Sequence, residues 1–265
     1  MNRRRVAPLL GLAAAALFVS ACAGTPPNPA DPWQGMNRPV FGFNDGVDRY
    51  VLRPVARGWT FITWDGLRDS VAKFYYNVAF PSRFVSNVGQ AEGQQAIIEV
   101  ARFLINTTVG VAGFFDPATK WGLPRRDEDV GQMFGRWGIP AGPYLMVPFL
   151  GPSDPRDLVG TVFDTALSPL TWLVPGSNLP NIVNTRARAD EKIEAARNSS
   201  LDYYVFVRDA YTQYRAAAVG NTAGTSDYDS SVYYESGRSD LYEVPEEKGE
   251  SNAPKSKPKS KPKSK

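Results

Sequence analysis

Residues 103–115 read FLINTTVGVAGFF, the most apolar interior stretch of the chain, relieved only by Asn106, Thr107 and Thr108. At 1.5 Å per residue such a run covers about 20 Å of helix, short of the ~20 residues that a hydrocarbon core of about 30 Å demands. It cannot span a bilayer. A second apolar run, residues 139–150, is broken by Pro140, Pro143 and Pro148 and reads as a bent loop or short hairpin. By pattern alone both runs read as core.

Around these runs the dominant period is helical, and no sustained alternation marks a membrane barrel. Helices are predicted near 45–58, 66–79, 91–107, 127–136, 154–167, 182–198 and 200–219. Proline is frequent, 22 of 265 residues, so the helices should be short and interrupted, with a kink or break at Pro54. Asn44 is placed to cap a helix beginning at Asp45, Ser153 to cap one before Asp154-Pro155, and Ser199 with Asp202 resembles a capping box. The last helix carries Tyr203, Val207, Tyr211, Tyr214 and Ala218 on one stripe, which predicts a core-facing side. The fold class is mainly α.

The ends are of another character. Arg3, Arg4 and Arg5 precede an uncharged stretch from Val6 to Ala21, the pattern of a secretory signal over residues 1–21. It closes Val19-Ser20-Ala21-Cys22, like a bacterial lipobox, and Cys22 is the only cysteine. Acylation there would anchor the chain stably, with residues 22–32 as a proline-rich leash. Residues 220–265 read as a disordered tail in which Lys255, Lys257, Lys259, Lys261, Lys263 and Lys265 alternate with serine and proline. The domain proper is therefore 33–219.

Of 30 basic residues three lie in the signal, which leaves 27 against 27 acidic ones, so no nucleic-acid footprint is expected. Without histidine and with one cysteine, the chain offers no Ser-His-Asp or Cys-His nucleophile, no His-ligated zinc and no internal disulfide. Gly151-Pro152-Ser153-Asp154-Pro155 approaches a nucleophile elbow but lacks its final glycine. The carboxylates Asp127, Glu128 and Asp129 read as a solvated helix start. There is no nucleotide-binding glycine motif, and neither an enzyme nor a cofactor is expected. Trp33, Trp59, Trp64, Trp121, Trp137 and Trp172 fall mostly near predicted helix ends, a placement that favours a membrane interface.

Several ordered runs carry a resemblance: Asp31-Pro32, Asn37-Arg38, Phe41-Gly42-Phe43-Asn44 with Asp48, Asn77 and Pro81, and Arg102-Phe103-Leu104-Ile105-Asn106-Thr107-Thr108 with Gly110, Gly113 and Phe115-Asp116. Asp129-Val130-Gly131-Gln132, Trp137-Gly138, Gly142-Pro143-Tyr144, Gly151-Pro152-Ser153 with Arg156-Asp157, Asp202-Tyr203, and Arg208-Asp209-Ala210-Tyr211 with Gln213 and Arg215 continue it. Across nearly all of residues 31–215 the chain resembles the MlaA/VacJ family of outer-membrane lipoproteins. Val130 and Met133-Phe134 depart from that family's pattern.

The resemblance implies an all-helical, ring-like domain lying in the inner leaflet of a Gram-negative outer membrane beside a trimeric porin. Through its amphipathic channel, phospholipid misplaced in the outer leaflet would reach a soluble periplasmic carrier upstream of an inner-membrane ABC transporter. Candidates for lining or gating the channel are Phe43, Asn44, Asn106, Thr107, Thr108, Gly110, Gly113, Gly142, Pro143, Tyr144 and Met146. Irregular backbone at membrane depth survives only where protein buries it or a wet cavity borders it, which is the argument for the glycines and Pro143. Residues 41–44 are expected to help set which leaflet reaches the channel. The alternatives are a scaffold that holds a porin or the cell wall without passing lipid, and a lipid-modifying enzyme.

Overall fold

The computed structural model describes residues 31–220. Cys22, the signal and the leash through residue 30, and the lysine-rich tail from 221 lie outside the described residues. Helix α1, Gln34–Val47, runs through a π-helical turn, Asp48–Leu52, into α2, Arg53–Ile62. The predicted break falls one turn early, at the π turn, so that Pro54 occupies the first turn of α2, where its missing N–H is not called on. The helix also starts well before Asp45, with Pro39 inside it. Side-chain ties hold it there: buried Asn37 donates to Asp31 Oδ1 (2.9 Å) and to the Tyr144 carbonyl (3.0 Å), and accepts from Met146 N (2.9 Å).

Next come α3 (Asp65–Val78), α4 (Phe80–Gly89), α5 (Gly93–Thr108), the short α6 (Pro117–Lys120) and α7 (Val130–Arg136). Residues 139–153 form the hairpin that the prolines suggested: β1, Leu145–Val147, pairs antiparallel with β2, Gly151–Ser153, Met146 opposite Pro152. The remainder is α8 (Pro155–Ala166), α9 (Pro169–Leu173), α10 (Leu179–Arg188), α11 (Asp190–Ser199) and α12 (Tyr203–Val219). Helix α7 packs on α8, α4 on α5, and α10 on α2.

Three expected caps are corrected. Asp154, not Ser153, caps α8 by accepting from Asp157 N (2.9 Å), because only the residue directly before Pro155 reaches the free amides of the first turn. Asp202, not Ser199, caps α12 by accepting from Val205 N (3.2 Å), while Ser199 ends α11. Asn44 caps nothing, since it lies in the last turn of α1.

Polarity is inverted on α4, α5, α8 and α10. The inward stripe of α5 is Ala96, Glu99, Arg102 and Asn106, whereas Ile97 (72% exposed) and Leu104 (56%) point out. Helix α4 buries Ser82, Arg83, Ser86 and Asn87 and exposes Val85 and Val88; α8 buries Arg156 and Asp157 and exposes Val159, Val162 and Phe163. On α10, Asn184, Thr185 and Arg186 are inside while Leu179 and Ile182 are out. A water-soluble domain does the reverse, and buried polar groups with large exposed apolar patches are the informative departures. Among the described residues an apolar core cluster of the usual kind forms where α12 meets the hairpin, around Tyr144, Met146, Tyr204, Val207 and Tyr211. Of the expected stripe, Val207, Tyr211 and Ala218 are buried, and Tyr203 and Tyr214 partly so.

Buried charges need partners, and these have them. Arg186 grips Asp48 through Nε (2.6 Å) and Nη2 (3.1 Å) and Asp190 through Nη1 (2.7 Å), locking α10 to the π turn and α11. Arg102 donates to Asp116 (2.8 Å), Thr119 Oγ1 (2.9 Å) and the Leu123 carbonyl (2.7 Å), folding the chain after α5 back onto it. Arg102→Met should strand Asp116 and cost about 3–5 kcal/mol, read as a lowered denaturation midpoint in detergent; an unchanged midpoint would show the pair to be dispensable.

Candidate functional site

The inward-facing polar stripes border a half-open lumen of two adjoining chambers, about 350 Å³ and 230 Å³, that share Asp129, Thr161, Asp164, Asn178 and Asn181. Tyr75 and Tyr76 of α3, Ser82 and Arg83 of α4, residues 127–129 with Gln132, and the segment from Ser168 to Asn181 wall the larger one. The smaller ends at the hairpin, on Phe149, Leu150, Pro152 and Ser153, with Ile182 beside them. Phe149, Leu150 and Ile182 are also exposed on the outer surface, so a polar interior meets an apolar rim at this end. Glycine makes the adjacent wall possible: a Cβ at Gly160 would lie 2.4 Å from Gly131 N, so α7 and α8 touch backbone to backbone.

Charge is unevenly matched along the lumen. Asp129 caps α7 by accepting from Gln132 N (2.8 Å) and takes both Nη atoms of Arg215 (2.6 and 3.1 Å). Burial would raise its carboxyl, but Arg215 outweighs burial and holds it below the usual range. Burial opposes Asp157 likewise, yet Arg215 and Arg156 bring it down to about 2. Asp164 differs: burial, with Asp129 adding to it, pushes it up to about 7. Glu128, buried and hydrogen-bonded by Gln90 Nε2 (2.7 Å), is also pushed up to about 7, chiefly by burial. The predicted solvated start at 127–129 is thus corrected: the three acids wall a cavity.

The candidates drawn from sequence lie mostly elsewhere. Asn106 donates to Asp116 Oδ1 (2.9 Å) and accepts from Ala118 N (3.2 Å); Thr107 accepts from Asn77 (2.9 Å); Thr108, exposed, donates to the Leu104 carbonyl (2.7 Å). Gly110 and Gly113 build the turn after α5, Gly113 at φ +92 with Asn77 where its Cβ would be. Gly142 takes φ +83 before half-buried Pro143, while Tyr144 and Met146 sit in the apolar core. None of these nine is among the residues walling the two chambers.

Phe43 and Asn44 act on the rim. Asn44 Oδ1 accepts from Phe149 N (2.8 Å) and Nδ2 donates to the Val147 carbonyl (2.9 Å), pinning a turn in which Phe149 holds φ +62. Phe43 packs edge-on against Phe149, ring centres 5.1 Å apart. Asn44 and Met146 also border a small pocket of about 40 Å³. Of the apolar run 139–150, Phe149 and Leu150 reach the lumen. Arg83, Thr161, Asp164, Asn178 and Asn181 were missed; the available signal was a polar stripe on α4 and α8 opposite an apolar one.

The raised acids set a pH dependence. Unfolded, Asp164 and Glu128 ionise near pH 4; folded, near 7. The folded chain therefore holds more protons through that window, and stability falls as pH climbs through it. The melting temperature in detergent should be higher at pH 5 than at pH 8, and Asp164→Asn with Glu128→Gln should shrink the difference. Equal melting at both pH values in the unaltered chain would refute the assignment.

The chain matches the MlaA lipoprotein family over residues 29–218. It is 35% identical over 195 residues to an uncharacterized protein of Rickettsia felis, covering 71% of this chain and 78% of that one. To the intermembrane phospholipid transport system lipoprotein MlaA of Escherichia coli K12 it is 32% identical over 195 residues, covering 69% and 76% respectively. A solved structure described as a structural basis for maintenance of bacterial outer membrane lipid asymmetry superposes with a TM-score of 0.64 at 32% identity, covering 71% of this chain and 98% of that one.

Proposed function

The chain belongs to the MlaA lipoprotein family, and on that premise we propose that it withdraws misplaced phospholipid from the outer leaflet of an outer membrane and passes it through its lumen to a periplasmic carrier. The anchor would be acylated Cys22, the neighbour a trimeric porin, and the carrier would feed an inner-membrane ABC transporter. The relatives named for phospholipid transport support the cargo.

The observation that carries the reading is the inverted chain. Its outer surface bears Phe61, Ile62, Trp64, Trp172 and Leu173, its interior bears charge, and no helix among the described residues is long and apolar enough to cross a membrane. Such a body suits helices lying in a leaflet with tryptophans at its margins: Trp33, Trp64, Trp121 and Trp137 flank helix termini and are exposed.

The lumen then answers a cost. Dragging a charged head group through hydrocarbon is expensive, whereas a polar wall hydrogen-bonds it throughout. At the rim the head group would enter beside Ser153 and Asn181 while the tails stay on Phe149, Leu150 and Ile182. Asn44 and Phe43 fix the turn bearing Phe149, so they would set the width of that mouth. With no nucleotide-binding motif in the sequence the passage is passive, and removal by the carrier gives it direction.

Asn181→Trp tests this, because Asn181 borders both chambers and makes one weak side-chain bond, 3.3 Å to Asn178. Cells lacking the chain should accumulate outer-leaflet phospholipid, the unaltered chain should clear it, and the plugged variant, folded and membrane-bound, should not. Clearance by the plugged variant equal to that of the unaltered chain would place the path elsewhere or leave only a scaffold.

A further inference from the structure

Asp164 borders both chambers and has no ion-pair partner among the described residues. The bonds it accepts, from Ser82 Oγ and from Val130 N (3.1 Å), both fall on Oδ1. Oδ2 has none. By contrast Asp129 and Asp157 are held by Arg215, and Asp127 faces Arg125 at 3.7 Å.

Directly after Ser82 comes Arg83, which also borders the larger chamber and is 6% exposed. Its Nε donates to Glu99 Oε2 (3.0 Å) and its guanidinium lies 3.5 Å over the Tyr76 ring. Its Nη1 and Nη2 make no hydrogen bond among the described residues. The free edge of a guanidinium that pairs with Glu99 and the unbonded oxygen of a half-buried carboxylate thus border one polar cavity. Leaving such groups without partners is costly, and a ligand with a negative and a positive end relieves both at once.

We propose that Arg83 and Asp164 form a head-group subsite selecting zwitterionic aminophospholipid, Arg83 taking the phosphodiester oxygens and Asp164 Oδ2 the primary ammonium. The inference rests on the lipid passage proposed above and names its preferred cargo. An anionic head group ending in glycerol would satisfy Arg83 but bring no cation to Asp164, and its charge would enter a chamber that also holds Asp127, Glu128 and Asp129. The carboxyl of Asp164, pushed up by burial with Asp129 adding to it, agrees with this, for an ammonium beside it would favour the charged form.

The test uses the mature lipoprotein reconstituted in vesicles of equal phosphatidylethanolamine and phosphatidylglycerol, re-extracted in mild detergent, with bound lipid measured by mass spectrometry. Bound lipid should favour phosphatidylethanolamine by about fivefold over the vesicle, equivalent to about 1 kcal/mol. Asp164→Asn keeps an Oδ1 acceptor for Ser82 and Val130, so it should return the ratio of bound lipids to the vesicle value. A second measurement needs no variant: against phosphatidylcholine, whose quaternary ammonium donates no N–H, the unaltered protein should still prefer phosphatidylethanolamine. Normal lipid content at the vesicle ratio, an Asp164→Asn ratio like that of the unaltered protein, or equal retention of ethanolamine and choline lipids would overturn the subsite while leaving passage intact. No lipid retained by the unaltered protein would overturn both.

Discussion

Arginine–carboxylate pairing in the interior is the interaction on which the rest of the molecule depends. Arg102 binds Asp116, Arg186 joins Asp48 across 138 residues and also takes Asp190 one turn on, Arg215 joins Asp129 across 86 residues and also takes Asp157, and each arginine is almost wholly buried. In water such pairs barely repay the desolvation of their charges. A body whose outside is apolar has a different balance. Moving leucine or valine from hydrocarbon to a protein interior gains little, so packing and polar contacts must hold the helices together. The short helices, the backbone contact between α7 and α8 at Gly131 and Gly160, and the single apolar cluster under α12 all fit that balance.

The same inversion leaves a polar-walled space, which the proposed function uses as its conduit. Polar stripes turned inward leave a space that side chains do not fill, and most of its charged walls are already paired among themselves. In the proposed passage a head group would exchange hydration for those walls, while its tails would stay outside on surface that is apolar in any case. The hairpin is where the two environments meet, and for that reason the contacts of Asn44 and Phe43 with Phe149 matter more than their position on an exposed helix suggests.

Much of the architecture was legible in the sequence. The 3.6-residue period located α3, α5, α8 and α12, and the three prolines of residues 139–150 gave the hairpin. Periodicity, however, is blind to which face is inside: Glu99, Arg102 and Asn106 form as good a water-facing stripe as an inward one. The candidates drawn from the resemblance include Gly110 and Gly113 in the turn after α5, while the two chambers are walled in part by the polar faces of α4 and α8, which the sequence reading did not single out. The caps failed for a local reason, since Ser153 and Asp154 are both good cap residues and only the position of Pro155 decides between them. Family resemblance brought the environment that composition leaves open, and with it the sense in which each amphipathic helix should be read.

In the proposed setting the apolar surface faces lipid and the lumen faces water. Nitroxide labels placed singly at Phe61, Trp172 and Asn181 of the full mature lipoprotein in vesicles measure this by their collisions with dissolved oxygen, which concentrates in lipid, and with a water-soluble nickel complex. The labels at Phe61 and Trp172 should be dominated by oxygen and that at Asn181 by nickel. Nickel accessibility at Phe61 and Trp172 equal to that of a label in free solution would contradict the account.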